Sequence, residues 1–500
     1  MTLSILIWLP VVGALVAAVV PRRFCGPVTA LASAATLGIA ISFLARFEES
    51  SGGLQFVTDR SWISALGIHY KLGLDGLNVF LVLLAAVVFL AAIAWAAVTG
   101  GYERPRTFFF WLAGAESAVL GAFCAQDLIL FVAFFDLMLF PFYFLLGGWG
   151  GPDRVRATLK LVIYTLVGSL LMLAAAIATG VIAAQGGAEL SYAFSDLAQR
   201  PLAAGSQEWI FLFFAAAFIV KMPLFPVHGW MPDAYGNMPI PALAAFSGVL
   251  SKVAIYGFLR VCLPLFPEAV QRYQTLLLLI ALASILYGSA MAFTTTRTRL
   301  IVGYSSVAQL GFITLGVFSL DRAGEQGAIL QAVNHGLVTA PLFFIIALLA
   351  ARAGGSEDLR DMGGIAFRAP VLAGLFLVVA LATLAMPGSA NFVGEFYILL
   401  GVFQAKAVFA VVAFTGVVLA SVYMLRAFIG SVHNRTGERV RSRDVRPADA
   451  LVLVPLVLAI IALAVYPQIA LRRSQQTVNR LVSPQGEVVD LTHPEIAVNK

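Results

Sequence analysis

Apolar residues along this chain come in blocks of roughly twenty, the length needed to cross the hydrocarbon core of a bilayer as a helix, and short polar connections separate them. Such blocks cover residues 3–20, 26–45, 74–98, 107–125, 128–148, 157–183, 208–227, 239–262, 274–294, 299–319, 326–351, 369–403 with an interruption, 407–430 and 449–470. Many are apolar all round, without the polar stripe of a surface helix. They also lack the strict alternation of barrel strands, so the pattern predicts an all-α polytopic membrane protein of about fourteen spans. Three polar stretches remain: residues 46–73, expected to hold a hairpin, a loop at 184–207 and a tail at 471–500.

Composition agrees with this pattern. Hydrophobic residues make up 60% of the 500, charged residues 12%, and the mean hydropathy is +0.92. A soluble domain carries about 25% charged residues, so a water-facing surface is excluded. The net charge of +6 does not point to nucleic acid, because the basic residues sit at segment ends. Loops after odd-numbered spans hold most of them, including Arg22, Arg23, Arg104, Arg106, Arg154, Arg156, Arg297, Arg299, Arg352 and Arg360. That bias places those loops in the cytoplasm and both termini outside. Met1–Val20 lacks a basic start and reads as an uncleaved first span. Cys25, Cys124 and Cys262 have no metal-ligand spacing, and no phosphate-binding glycine pattern is present.

Against this background five charges inside the spans stand out: Glu116, Asp136, Lys221, Lys252 and Glu395. An ionisable group in hydrocarbon costs a few kcal/mol and by default marks an ion path. Any one of them can equally be a structural hydrogen bonder, but five of both signs on five spans favour translocation. Helix breaks accompany two of them. Pro223 and Pro226 follow Lys221, and Pro387–Gly388 precede Glu395. A proline within a span frees backbone carbonyls, which lipid tolerates only beside a polar cavity. Two such breaks five spans apart predict inverted five-helix repeats with discontinuous helices 7 and 12. The expected organisation is residues 1–98 as three helices, 99–262 as the first repeat, 263–430 as the second, and 431–500 as a loop, helix 14 and an external tail.

Lysine suits a proton relay, because a desolvated ammonium gives up its proton more readily and a nearby carboxylate reverses the effect. Asp136 and Lys221 are the candidate pair, with Lys252 passing the proton on and Glu395 as the terminal carboxylate. His228 and His335 titrate in a useful range, although a lone histidine is as often a packing hydrogen bonder.

The stretches LGLDGLNVFLVLL (72–84), FVAFFDLMLFPFYFLLGGWG (131–150), KMPLFPVHGWMPDA (221–234), GVLSKVAIYGFLRVCLPLFP (248–267), YSSVAQLGF (304–312), QAVNHGLVTAPLF (331–343) and MPGSANFVGEF (386–396) resemble subunit M, the ND4 type, of proton-pumping NADH:quinone oxidoreductase, respiratory complex I. The resemblance covers nearly the whole chain. The related L and N types have a lysine where Glu395 falls. It implies an antiporter-like subunit of the bacterial inner membrane with no redox centre of its own. NADH, flavin, iron–sulfur clusters and quinone would be handled by partner subunits, with L- and N-type subunits as neighbours. By position, Asp136 and Lys221 match the family's carboxylate–lysine pair, Lys252 its central lysine and Glu395 its terminal carboxylate. His335 and Lys160 match recurrent polar positions. Glu116, one span before Asp136, is a further relay candidate.

The chain departs from the family at Asp136, usually Glu, at Gln309, often His, and at Tyr235–Asn237, usually more polar. The shorter carboxylate implies a weaker or water-mediated bridge to Lys221. Three alternatives stand beside this reading: an Mrp-type Na⁺/H⁺ antiporter subunit, the membrane arm of a hydrogenase- or formate-linked complex, and a membrane scaffold without an ion path.

Overall fold

Backbone groups in hydrocarbon must find partners within their own segment, and the computed structural model is accordingly built of helices. It describes residues 2–185, 187–435, 437, 440 and 443–482. The last part of the expected tail, and part of the loop after span 13, lie outside the described residues. Twelve helices among the described residues are long and apolar enough to cross a membrane, and Leu3–Val19 and Pro370–Thr383 are apolar but shorter.

In chain order the elements begin with α1 (Leu3–Val19), α2 (Cys25–Ala45) and an antiparallel hairpin of β1 (Gln55–Ile63) and β2 (Ile68–Leu74). Arg60 pairs with Tyr70 across the hairpin, and Gly67 at φ 61° closes its turn in the left-handed region that glycine enters without strain. α3 (Val79–Thr99) and α4 (Pro105–Cys124) follow. The fifth expected span is two helices, α5 (Leu128–Leu137) and α6 (Leu139–Trp149). Asp127 starts α5 by accepting from the backbone N–H groups of Ile129 and Leu130, both at 3.0 Å. Met138 separates the two helices, and Pro141, three residues on, cannot donate to the carbonyl of Leu137.

The chain continues through α7 (Arg154–Ala183), a short α8 (Phe194–Ala198), α9 (Ala204–Lys221) and α10 (Met231–Asn237). The seventh span therefore ends at Lys221 rather than at residue 227, and resumes as α10. α11 (Ile240–Leu265) crosses with π turns at Phe246–Leu250 and Phe258–Cys262. The second lies just before Pro264, which would crowd the Arg260 carbonyl in a regular helix. Then come α12 (Pro267–Thr294), α13 (Thr298–Val317), α14 (Arg322–Arg352) and α15 (Pro370–Thr383). α16 (Ala390–Val432) joins two expected spans across a kink at Lys406, whose φ of −150° and ψ of 80° are non-helical.

α17 (Pro447–Val465) and α18 (Gln468–Val482) complete the described chain. The latter corrects the expectation of a polar tail from residue 471. Ala470, Leu471, Ser474, Thr477 and Val478 are buried at helical spacing, and α18 packs on α14 and beside the hairpin. Arg473 pairs with Glu49 at 3.0 Å, and Thr477 Oγ1 accepts from the N–H of Gly76 at 3.1 Å. The hairpin, α8 and α18 thus lie on one side of the bundle, here called the hairpin side.

The helices meet closely where side chains are small. A Cβ at Gly336 of α14 would lie 2.5 Å from the Gly248 carbonyl of α11 and 2.6 Å from Leu84 of α3. Gly336→Val must part three helices at mid-span. It is expected to destabilise the subunit by about 1–3 kcal/mol, read as a lower melting temperature of the purified protein.

Candidate functional site

The two helix breaks are built from missing N–H groups. Pro223 cannot donate to the Ile219 carbonyl, so Leu224 N takes it at 3.2 Å in a wider turn. The indole of Trp230 then takes the Val220 carbonyl at 3.0 Å, and Phe225 N turns to Ser284 Oγ at 3.0 Å. Pro226 has no proton for the Met222 carbonyl. α9 therefore ends in open carbonyls with Lys221 in its last turn, where the helix dipole favours a cation. The second break runs from Leu384 to Ser389. Asn334 Nδ2 reaches across from α14 to the Ala390 carbonyl at 2.7 Å, and Glu395 follows in the second turn of α16.

Asp136 and Lys221 sit within electrostatic reach of each other but make no direct ion pair. Asp136 Oδ1 instead accepts from Ser169 Oγ of α7 at 2.5 Å. The Lys221 ammonium lies 4.5 Å from the centroid of the Phe135 ring and 3.4 Å from the Phe135 carbonyl. Lys252 is fully buried, and its Nζ donates to the Ser247 carbonyl at 2.9 Å, inside the first π turn of α11. Its positive charge is within reach of His335 on α14. One turn from His335, Gln331 Nε2 donates to Gln309 Oε1 at 2.8 Å, and Gln309 Nε2 donates to Glu395 Oε1 at 2.7 Å.

The polar groups thus form two sets, Asp136 with Lys221 on α5 and α9, and Lys252, His335, Gln331, Gln309 and Glu395 on α11, α14, α13 and α16. Side-chain atoms of Ser251, His228, His335 and Gln331 are buried without a hydrogen-bond partner among the described residues. Polar atoms so placed are natural sites for bridging water. His228 lies in the break after α9, with its ring 4.7 Å from that of Tyr287.

Two sequence candidates stand apart. Glu116 is fully buried on α4 and accepts from Ser33 Oγ of α2 at 2.9 Å, so it ties the N-terminal helices together. Lys160 pairs with Asp233 at 2.7 Å, partly exposed, and joins α7 to α10. Ser169, Gln331 and Tyr423 have no distinctive signal in the sequence, since uncharged polar residues are common within apolar spans. Glu325 was missed because it precedes the drawn edge of its span, yet it is buried in the first turn of α14 with Oε2 unpartnered. On the side away from the hairpin, a cleft of about 920 Å³ opens beside Trp149, Asn237, Pro239, Arg297 and Arg299, where α10 passes into α11. The cysteines are all buried and free, and no group of three metal-ligating side chains is found among the described residues.

Residues 125–420 match the profile of the NADH:quinone oxidoreductase/Mrp antiporter transmembrane family. Among curated proteins, NADH-quinone oxidoreductase subunit M of Rhodobacter capsulatus is 34% identical, covering 93% of each chain. Among solved structures, a chain of respiratory complex I from Thermus thermophilus superposes with a TM-score of 0.88 at 30% identity, covering 96% of this chain and all of that one. A chain of the Mrp complex of Dietzia sp. shares the fold, with a TM-score of 0.82 at 22% identity.

Proposed function

Since the chain belongs to the NADH:quinone oxidoreductase/Mrp antiporter transmembrane family, and within it to the subunit M group of complex I, we propose that it moves protons across the membrane by way of the buried polar axis. The observation that carries this reading is the set of buried polar groups in mid-bundle, with Gln331 and Gln309 hydrogen-bonded on to Glu395. A carboxylate, two lysines, a histidine and a second carboxylate lie within the bundle, and helix breaks lie where the backbone must be polar. A soluble enzyme has no use for such an arrangement, and lipid penalises it.

Protons enter from the cytoplasmic side of the bundle, reach Lys221 and Lys252, pass to His335 and the Gln331–Gln309–Glu395 cluster, and leave on the hairpin side. The basic loops put the cleft side in the cytoplasm, which makes this a multi-pass protein of the bacterial inner membrane with the hairpin outside. Residues 99–262 and 263–430 act as inverted halves. The chain itself works as a translocase, while electrons pass from NADH to quinone on flavin and iron–sulfur centres in partner subunits. L- and N-type subunits stand beside it. Lys160 and Glu116 hold helices in register around the path.

Glu395→Gln in the assembled complex tests the reading. It keeps volume and hydrogen bonding but removes the titratable group. Proton uptake by inverted membrane vesicles, measured per quinone reduced in sodium-free buffer, is expected to fall, with the complex fully assembled. Unchanged uptake per quinone would remove Glu395 from the path. Wild-type uptake that vanishes without sodium would instead favour the Na⁺/H⁺ reading.

A further inference from the structure

On the hairpin side of Lys252, α11 carries a second polar cluster. Lys252, Tyr256 and Arg260 follow at i, i+4 and i+8 on α11 and so share one face, with Arg260 about 12 Å further along the helix. Arg260 Nε donates to Tyr256 Oη at 3.1 Å, and Gln126 Nε2 donates to the same oxygen at 3.4 Å. The Arg260 guanidinium forms an ion pair with Asp75, in the turn between β2 and α3. Asp75 is fixed in turn by the N–H of Leu77, which donates to its Oδ1 at 2.9 Å. The Arg260 side chain is 14% exposed and that of Asp75 4%, and Tyr256 is fully buried.

This cluster has the opposite chemistry to the axis. Arginine keeps its proton under all physiological conditions, a phenol is a poor acid near neutrality, and an amide does not titrate. The pair is also oriented, with the cation toward Lys252 and the carboxylate toward the hairpin side. A fixed cation in a low-dielectric interior repels a proton-carrying water and a second ammonium alike.

We propose that Arg260, held in place by Asp75, is an electrostatic plug that closes the Lys252 end of the first half toward the hairpin side, so that a proton on Lys252 can leave only along the axis to His335. Asp75 is the positioning residue and Arg260 supplies the barrier. The proposal rests on the proton path described above.

The test is passive proton influx into liposomes containing the assembled complex, driven by a potassium diffusion potential without NADH and followed with an entrapped pH dye. Arg260→Gln combined with Asp75→Asn should leak at least about tenfold faster than wild type, because a neutral pair offers no barrier. Arg260→Lys keeps the cation and its partner and should stay tight, whereas Asp75→Asn alone keeps the cation but frees it and should leak to a degree between wild type and the double variant. A purely structural tie predicts otherwise, since Asp75→Asn and Arg260→Gln both break it and should then behave alike. A double variant as tight as wild type overturns the plug.

Arg260→His gives a check that assembly cannot confound, because one preparation is compared with itself. Its leak should rise between about pH 6 and about pH 8 as the imidazolium loses its charge beside Asp75, Tyr256 and Gln126. A leak at the wild-type level at both values also overturns the proposal. If Glu395→Gln abolishes pumping in membranes where the double variant is tight, the plug fails and the path stands. If Glu395→Gln pumps normally, the path itself fails.

Discussion

Lys221→Ala should lower proton translocation by the assembled complex at least about tenfold, the usual loss when a positioned proton-transfer group is removed, while NADH oxidation by a soluble acceptor stays at the wild-type rate. The ammonium closes α9, where the Lys221 and Met222 carbonyls lack the N–H partners that a continuous helix would supply. It is also the charge that faces Asp136, and it rests on the Phe135 ring and carbonyl. Alanine removes that charge and leaves Asp136, among the described residues, with its hydrogen bond from Ser169 alone. Lys221→Arg separates the two roles of the residue. A guanidinium keeps the positive charge and the cation–π contact but never releases its proton. Loss of translocation in both variants identifies Lys221 as a carrier. Normal translocation by Lys221→Arg would mean that only its charge matters.

The long apolar blocks were legible, because hydrocarbon thickness imposes a length that few other constraints do. The same clarity hid their internal breaks where no charged residue drew attention. Span 5 was drawn as one helix although Pro141 lies inside it, and α16 was drawn as two spans although only Lys406 departs from helical geometry. The π turns of α11 have no sequence signature beyond Pro264 behind the second. The first lies where Gly248 packs closely against Gly336. α18 was missed for a different reason. Its apolar positions are few and mixed with Ser and Thr, so its one-sided pattern falls below a hydropathy reading.

Within the site, charge in the wrong solvent singles out Asp136, Lys221, Lys252 and Glu395; in the structure the last three are buried and Asp136 is half-buried. The same criterion should have caught Arg260, which falls inside the drawn span 239–262. Glu116 shows its limit from the other direction, since a buried carboxyl with a serine partner is as foreign to lipid as a proton carrier. The Gln331–Gln309–Glu395 cluster could not be read at all, because it joins residues 64 and 86 positions apart in sequence.

Lys252→Met separates function from stability most sharply. The side chain is fully buried, its one hydrogen bond goes to the Ser247 carbonyl, and no carboxylate pairs with it among the described residues. Holding an unpaired cation at such a depth costs of order a few kcal/mol. Methionine fills nearly the same volume without charge, and volume-conserving exchanges in a core cost less than about 1.5 kcal/mol. The melting temperature of the complex should therefore stay level or rise, while translocation falls as far as in Lys221→Ala. A structural lysine predicts the reverse, with stability lost and any residual complex pumping normally. Melting curves and proton uptake on one preparation decide between them. A residue that destabilises the fold and is retained at its centre is what a proton path requires, because the carrier must be able to lose its charge there.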